Sequence, residues 1–138
     1  VDNKNCVCKA MKTLQREQSI LSGQLKEFQF ICFSPTTDTI PFMLLMKNNL
    51  KPLKAFTKCT VTPFFRLEKY DEETCCAELS LLEAIDMDGN LIDTFDDELY
   101  SLRKTKSCII VDLHCICAIN SFPPNLVNRP LPEIEPKY

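Results

Sequence analysis

The stretch SCIIVDLHCICAIN, residues 107–120, decides how the chain is read. Taken as one strand, it sends successive side chains to opposite faces. Ile109, Val111, Leu113, Cys115, Cys117 and Ile119 then share one face. Cys108, Ile110, Asp112, His114, Ile116, Ala118 and Asn120 share the other. The first face is wholly apolar, which makes Cys115 and Cys117 core residues, because free cysteine packs as a small hydrophobe. The same alternation turns His114 away from both and leaves Cys108 as the strand's candidate reactive thiol.

Working outward, TIPFMLLM (39–46), PLKAF (52–56) and VTPFFRLEKY (61–70) are short apolar runs bounded by Pro, Asn, Lys and Thr. Their length and boundaries predict strands. TCCAELSLLEAIDM (74–87) alternates, with Cys75, Ala77, Leu79, Leu81, Ile85 and Met87 on one face and Glu83 as the interruption. The Asp-Gly-Asn at 88–90 predicts a hairpin turn, since these residues tolerate positive φ. LIDTF (91–95) and LYSLRK (99–104) form the return. With only 2 glycines, the turns rely on Asn, Asp and Pro.

One segment has a different period. Over residues 5–28, Val7, Met11, Leu14, Gln18, Leu21, Leu25 and Phe28 recur at alternating steps of four and three. That predicts an amphipathic helix with one polar lapse at Gln18. Asn3 or Asn5 is placed to cap its start. Gly23 falls inside it, at a cost of about 1 kcal/mol relative to alanine. At the other end, FPPNLVNRPLPEIEPKY (122–138) holds five prolines in 17 residues, which excludes a central strand.

The expected fold is mainly β: an antiparallel β-sandwich or barrel-like core with one N-terminal α-helix and an extended Pro-rich C-terminal tail. It divides into a helical arm (1–30), a β core (31–121) and the tail (122–138).

Composition excludes several functions. The 138 residues carry a net charge of −3, so no electrostatic footprint for nucleic acid exists. No apolar run reaches the roughly 20 residues of a membrane helix. Residues 1–18 are polar and mixed in charge, unlike a secretory signal. Synthesis in a reducing cytosol, with thiols free at first, is the expectation.

The nine cysteines are the unusual feature. An odd number cannot pair fully within one chain. Zinc sites use two ligand pairs at spacings such as Cys-x₂₋₄-Cys, whereas Cys6/Cys8 and Cys115/Cys117 have one-residue gaps. No Cys-x-x-Cys occurs. The single histidine faces away from its nearest cysteines, and the carboxylate pairs Asp86/Asp88 and Asp96/Asp97 sit at turns. The sequence therefore predicts no catalytic residue, no metal site and no cofactor. Cys75 and Cys76, adjacent in a strand, point inward and outward respectively. Cys6, Cys8, Cys32, Cys59, Cys76 and Cys108 are the candidate inter-subunit disulfide cysteines. Cys75, Cys115 and Cys117 are assigned to the core.

Seven segments carry a resemblance: CVCKAM (6–11), IPFMLL (40–45), PLKAF (52–56), FFRLE (64–68), CAELSLLEAID (76–86), SCIIVDLHCICAIN (107–120) and NLVNR (125–129). In this order they resemble the CotY/CotZ spore coat protein family, which includes the exosporium protein ExsY. The motif cysteines are Cys6, Cys76, Cys108, Cys115 and Cys117; Ser121 stands where relatives often continue with cysteine. The resemblance implies a structural homo-oligomer in the spore coat or exosporium, made in the mother-cell cytoplasm. It implies self-assembly into a hexagonal lattice or ring hardened by inter-subunit disulfides, beside other coat and exosporium proteins. The alternative expectation is an anchoring module that tethers other coat proteins through its helix or tail.

Overall fold

The computed structural model describes residues 5–23, 38–58, 60–92 and 98–132. Its elements are α1 (Cys6–Leu21), β1 (Phe42–Met46), β2 (Ala55–Phe56), β3 (Val61–Thr62), β4 (Phe64–Asp71), β5 (Cys76–Ile85), β6 (Ser101–Asp112) and β7 (Ile116–Ser121). Five strands pair antiparallel in the order β6-β5-β4-β1-β7, and β2 and β3 form a separate two-stranded ribbon. The architecture is mainly antiparallel β with one N-terminal helix, as the alternating runs predict. Pro63 separates β3 from β4, and the 99–104 run joins the 107–112 run as one strand, β6.

The order of strands imposes a curl. β6 and β7 are consecutive in the chain yet stand on opposite edges of the sheet, joined only by a 3₁₀ turn at Leu113–Cys115. Laid flat, the outer strands of a five-stranded sheet lie at least about 19 Å apart. Four residues of extended chain reach about 14 Å, and a 3₁₀ turn is shorter still. The sheet must bend until the end of β6 and the start of β7 come within reach of that link. The turn shows the closure directly: Leu113 N–H donates to Cys75 C=O at the β4–β5 turn, and Lys47 N–H beyond β1 donates to Cys115 C=O.

The concave side is filled by α1. Val7, Cys8, Met11 and Leu14 join Phe42, Leu44, Phe65, Leu67, Ala77, Leu79 and Leu81 in one buried cluster. A second cluster covers the other face of β5, where Leu82 and Ala84 meet Phe64, Leu102 and Val127, with Phe122 and Leu126 packed against them. The start of the Pro-rich segment is thus part of the core. Val127 bridges Leu102, and the Tyr100 hydroxyl donates to Pro130 C=O.

The helix differs from its prediction at one end. Asn5 caps the start, its side chain accepting from Cys8 N–H at 2.9 Å. The helix stops at Leu21, and Gly23 follows at φ 82°, the left-handed conformation of a terminating glycine. Gly23 ends the helix instead of weakening its interior. Leu25 and Phe28 of the expected seam, and Asn3, lie outside the described residues, as do Cys32, Cys59, residues 93–97 and the tail beyond 132.

The polar lapse at Gln18 has a structural role. The Phe42–Phe65 register, continued, would set Ile40 opposite Leu67. Gln18 sits between them: its Nε2 donates to Leu67 C=O at 2.8 Å, and its Oε1 accepts from Ile40 N–H at 3.1 Å. One side-chain amide replaces a missing rung between β1 and β4. Toward the other end of the helix, the Cys8–Cys75 disulfide ties α1 to the β4–β5 turn, with Cα atoms 5.7 Å apart and the two residues 67 positions apart in sequence.

Two expectations follow from these ties. Gln18→Leu leaves two inward backbone groups without partners and should cost about 2 kcal/mol or more in urea unfolding; an unchanged midpoint would refute the bridging role. Cys8→Ala combined with Cys75→Ala should lower stability by up to about 4 kcal/mol, the chain-entropy value for a loop of this length; equal midpoints for this variant and the oxidised parent would refute the staple.

Candidate functional site

The cysteines and the histidine gather where the sheet closes. Cys6 and Cys8 lie in the first turn of α1. Asn5 fixes that turn on the closing link, its Nδ2 donating to Leu113 C=O at 3.1 Å and to Ile116 C=O at 3.3 Å. Cys75 and Cys76 end the β4–β5 turn, and Cys76 stands opposite Asp112 in register. His114 and Cys115 belong to the link itself, and Cys117 is the second residue of β7, its thiol 3.8 Å from Met46 C=O.

The link corrects the reading of 107–120 as a single strand. Alternation holds through Asp112: Ile109 and Val111 pack on the core, while Ile110 is 78% exposed. Asp112 then interrupts it. Its carboxylate accepts from the His114 N–H at 3.0 Å and so caps a 3₁₀ turn. The turn changes which residues face inward. Leu113 and Ile116 are buried, whereas Cys115 is exposed and Cys117 half-buried. The assignment of these two cysteines to the core is overturned for that reason. The signal was present in the aspartate, a turn-capping residue in the middle of an apolar run.

Cys8 is the second correction. Grouped with the outward thiols by sequence, it is fully buried, because its helix position faces the sheet. It is bonded to Cys75, which is buried as well. Nothing in the sequence announces this pairing, since partners 67 positions apart leave no local pattern. Cys75 itself has φ 56°, a left-handed conformation that non-glycine residues seldom adopt. Its backbone is held on both sides, N–H to Asp71 C=O and C=O to Leu113 N–H.

Among the described residues the free cysteines are Cys6, Cys108 and Cys115, which are exposed, and Cys76 and Cys117, which are half-buried. Cys115 lies in an open hollow with Met46, Lys47, Asn48 and His114. Cys108 stands on the outer strand β6, opposite Ser80. Partial burial first, then the negative charges of Glu78 and Glu68, push its thiol above the usual cysteine value.

His114 lines the same hollow as Cys115, and the closing link also brings it to a buried pair. A ring nitrogen of His114 and the sulfurs of Cys8 and Cys75 all lie within 4.8 Å of one another. The ring is also held by Asp112, with Nδ1 2.7 Å from Asp112 Oδ1. Hydrogen bonds from the His114 backbone and ring keep the Asp112 carboxyl below its ordinary value. No helix among the described residues is long and apolar enough to cross a membrane.

Comparison with known proteins agrees with the motif order. The family model described as spore coat protein Z matches residues 1–124. Spore coat protein Z of Bacillus subtilis (strain 168) is 40% identical over 104 residues, covering 67% of this chain and 68% of that protein. No solved structure matches. The family match spans the helix, every strand and all nine cysteines, and the chain belongs to the spore coat protein Z family.

Proposed function

We propose that the protein is a structural building block of the spore's outer layers, coat or exosporium, that assembles with copies of itself. Family membership supports the structural role. The division of its thiols is the observation that carries the assembly: one pair is spent inside the fold, while Cys6, Cys108 and Cys115 are exposed and Cys76 and Cys117, free and half-buried, lie nearer the surface. Surface thiols on a folded, stapled subunit join neighbours without unfolding it. Cys32 and Cys59 complete the candidate set for inter-subunit disulfides. In this reading the chain is made in the mother-cell cytoplasm with reduced thiols, and subunits pack as a hexagonal lattice or ring beside other coat proteins before oxidation locks them.

The anchoring alternative would use the helix or the Pro-rich segment as a tether. Both are engaged in the protein's own core, α1 through Val7, Met11 and Leu14 and the C-terminal segment through Phe122, Leu126 and Val127. Self-assembly is therefore favoured. No enzymatic role is part of the proposal.

Two experiments follow. Protein purified under reductant and then oxidised should form a ladder of reductant-sensitive oligomers in denaturing electrophoresis and ordered sheets or rings in negative stain; dispersed monomers by both methods would sink the proposal. Because the charge of Glu78 adds to burial in pushing the Cys108 thiol up, Glu78→Gln should raise the rate at which iodoacetamide modifies Cys108 near pH 8 by about two-fold, the scale of an exposed charge interaction. An unchanged rate would show that the carboxylate does not restrain this thiol.

A further inference from the structure

We propose that the reduced protein binds one zinc ion through Cys8, Cys75 and His114, and that the Cys8–Cys75 disulfide takes the place of this site on oxidation. Tetrahedral zinc, with bonds of about 2.3 Å to sulfur and about 2.0 Å to nitrogen, needs its donors roughly 3.5–3.8 Å apart. The three donors lie within 4.8 Å of one another, and once the sulfur–sulfur bond is broken the two sulfurs separate to reach that spacing. Two thiolates and an imidazole are the donor set that selects zinc over the hard cations magnesium and calcium.

The surroundings are those of a prepared site. Each ligand comes from a different element, and each backbone is pinned. Cys8 N–H is held by the Asn5 cap, Cys75 by Asp71 and Leu113, and His114 N–H by Asp112. Asp112 Oδ1 stands 2.7 Å from His114 Nδ1. In the proposed site that carboxylate holds the ring proton on Nδ1 and Nε2 binds the metal, the usual support of a zinc-binding histidine. Cys75 occupies its left-handed conformation at this point and no other cysteine among the described residues does, so the strained residue is the one that delivers the second sulfur. His114 is partly exposed, which leaves the fourth position to water.

Oxidation balances without further parts. A low-molecular-weight disulfide accepts two electrons from the two metal-bound thiolates. Its sulfur–sulfur bond breaks, one forms between Cys8 and Cys75, and its halves leave as thiols after taking two protons from solvent. With no thiolates remaining, the zinc departs. The helix is held to the β4–β5 turn by metal before oxidation and by a covalent bond after it.

Cobalt(II) reports this geometry. The test uses the full chain with Cys6, Cys32, Cys59, Cys76, Cys108, Cys115 and Cys117 replaced by serine, reduced anaerobically and freed of reductant. Titration with cobalt(II) chloride should give one ion per chain, thiolate-to-cobalt charge transfer and the visible bands of a tetrahedral site. His114→Ala should weaken binding at least ten-fold and Asp112→Asn about ten-fold, with circular dichroism checking that each variant is folded. The oxidised protein should bind none. Absence of the charge-transfer band in the reduced protein, equal affinity in folded His114→Ala, or the same spectrum after oxidation would each overturn the proposal.

Discussion

Three residues, Leu113 to Cys115, join the two outer strands of a five-stranded sheet, and the rest of the structure follows from how short that link is. It cannot span a flat sheet, so the sheet curls. The curl creates a concave side for α1 to fill and a corner where the helix start, the β4–β5 turn and the end of β1 meet. Asn5, Cys75 and Lys47 each hydrogen-bond to the link or its flank, so the corner is braced from three elements.

The corner also sorts the cysteines. A helix face that packs on the sheet takes Cys8 inward, where it meets Cys75. The 3₁₀ turn takes Cys115 outward and leaves Cys117 near the surface. The same chain therefore holds an internal staple and an external set of thiols, two chemistries that a cysteine count cannot separate. Proximity of His114 to the staple is a product of closure too, because strand alternation alone only sets it on the face opposite Cys115 and Cys117.

Much of the fold is legible in the sequence. The period change between 5–21 and 42–121 gives one helix and a β domain, and the Asp-Gly-Asn turn forms where expected, with Gly89 at φ 85° and Asp86 N–H bonded to Asn90 C=O. Ile109 and Val111 face inward and Ile110 outward as alternation requires. What alternation misses is tertiary. One capping aspartate shifts the inward face by a residue, so Ile116 takes the place given to Cys115. Gln18 reads as a lapse in an apolar seam until the gap between Ile40 and Leu67 is seen. The Cys8–Cys75 pairing depends on which helix turn lies over which strand turn, and no local pattern encodes that.

The central claim is that one disulfide belongs to the fold and the others join subunits. Disulfide mapping by mass spectrometry, on an oxidised assembly grown from equal parts of isotopically light and heavy protein, tests it most directly. The account predicts that the Cys8–Cys75 peptide is never of mixed isotope, and that mixed-isotope crosslinks come from the surface thiols, Cys6, Cys76, Cys108, Cys115 and Cys117 among them. Cys8 or Cys75 found chiefly in mixed-isotope crosslinks, or an assembly with no mixed crosslinks at all, would contradict it.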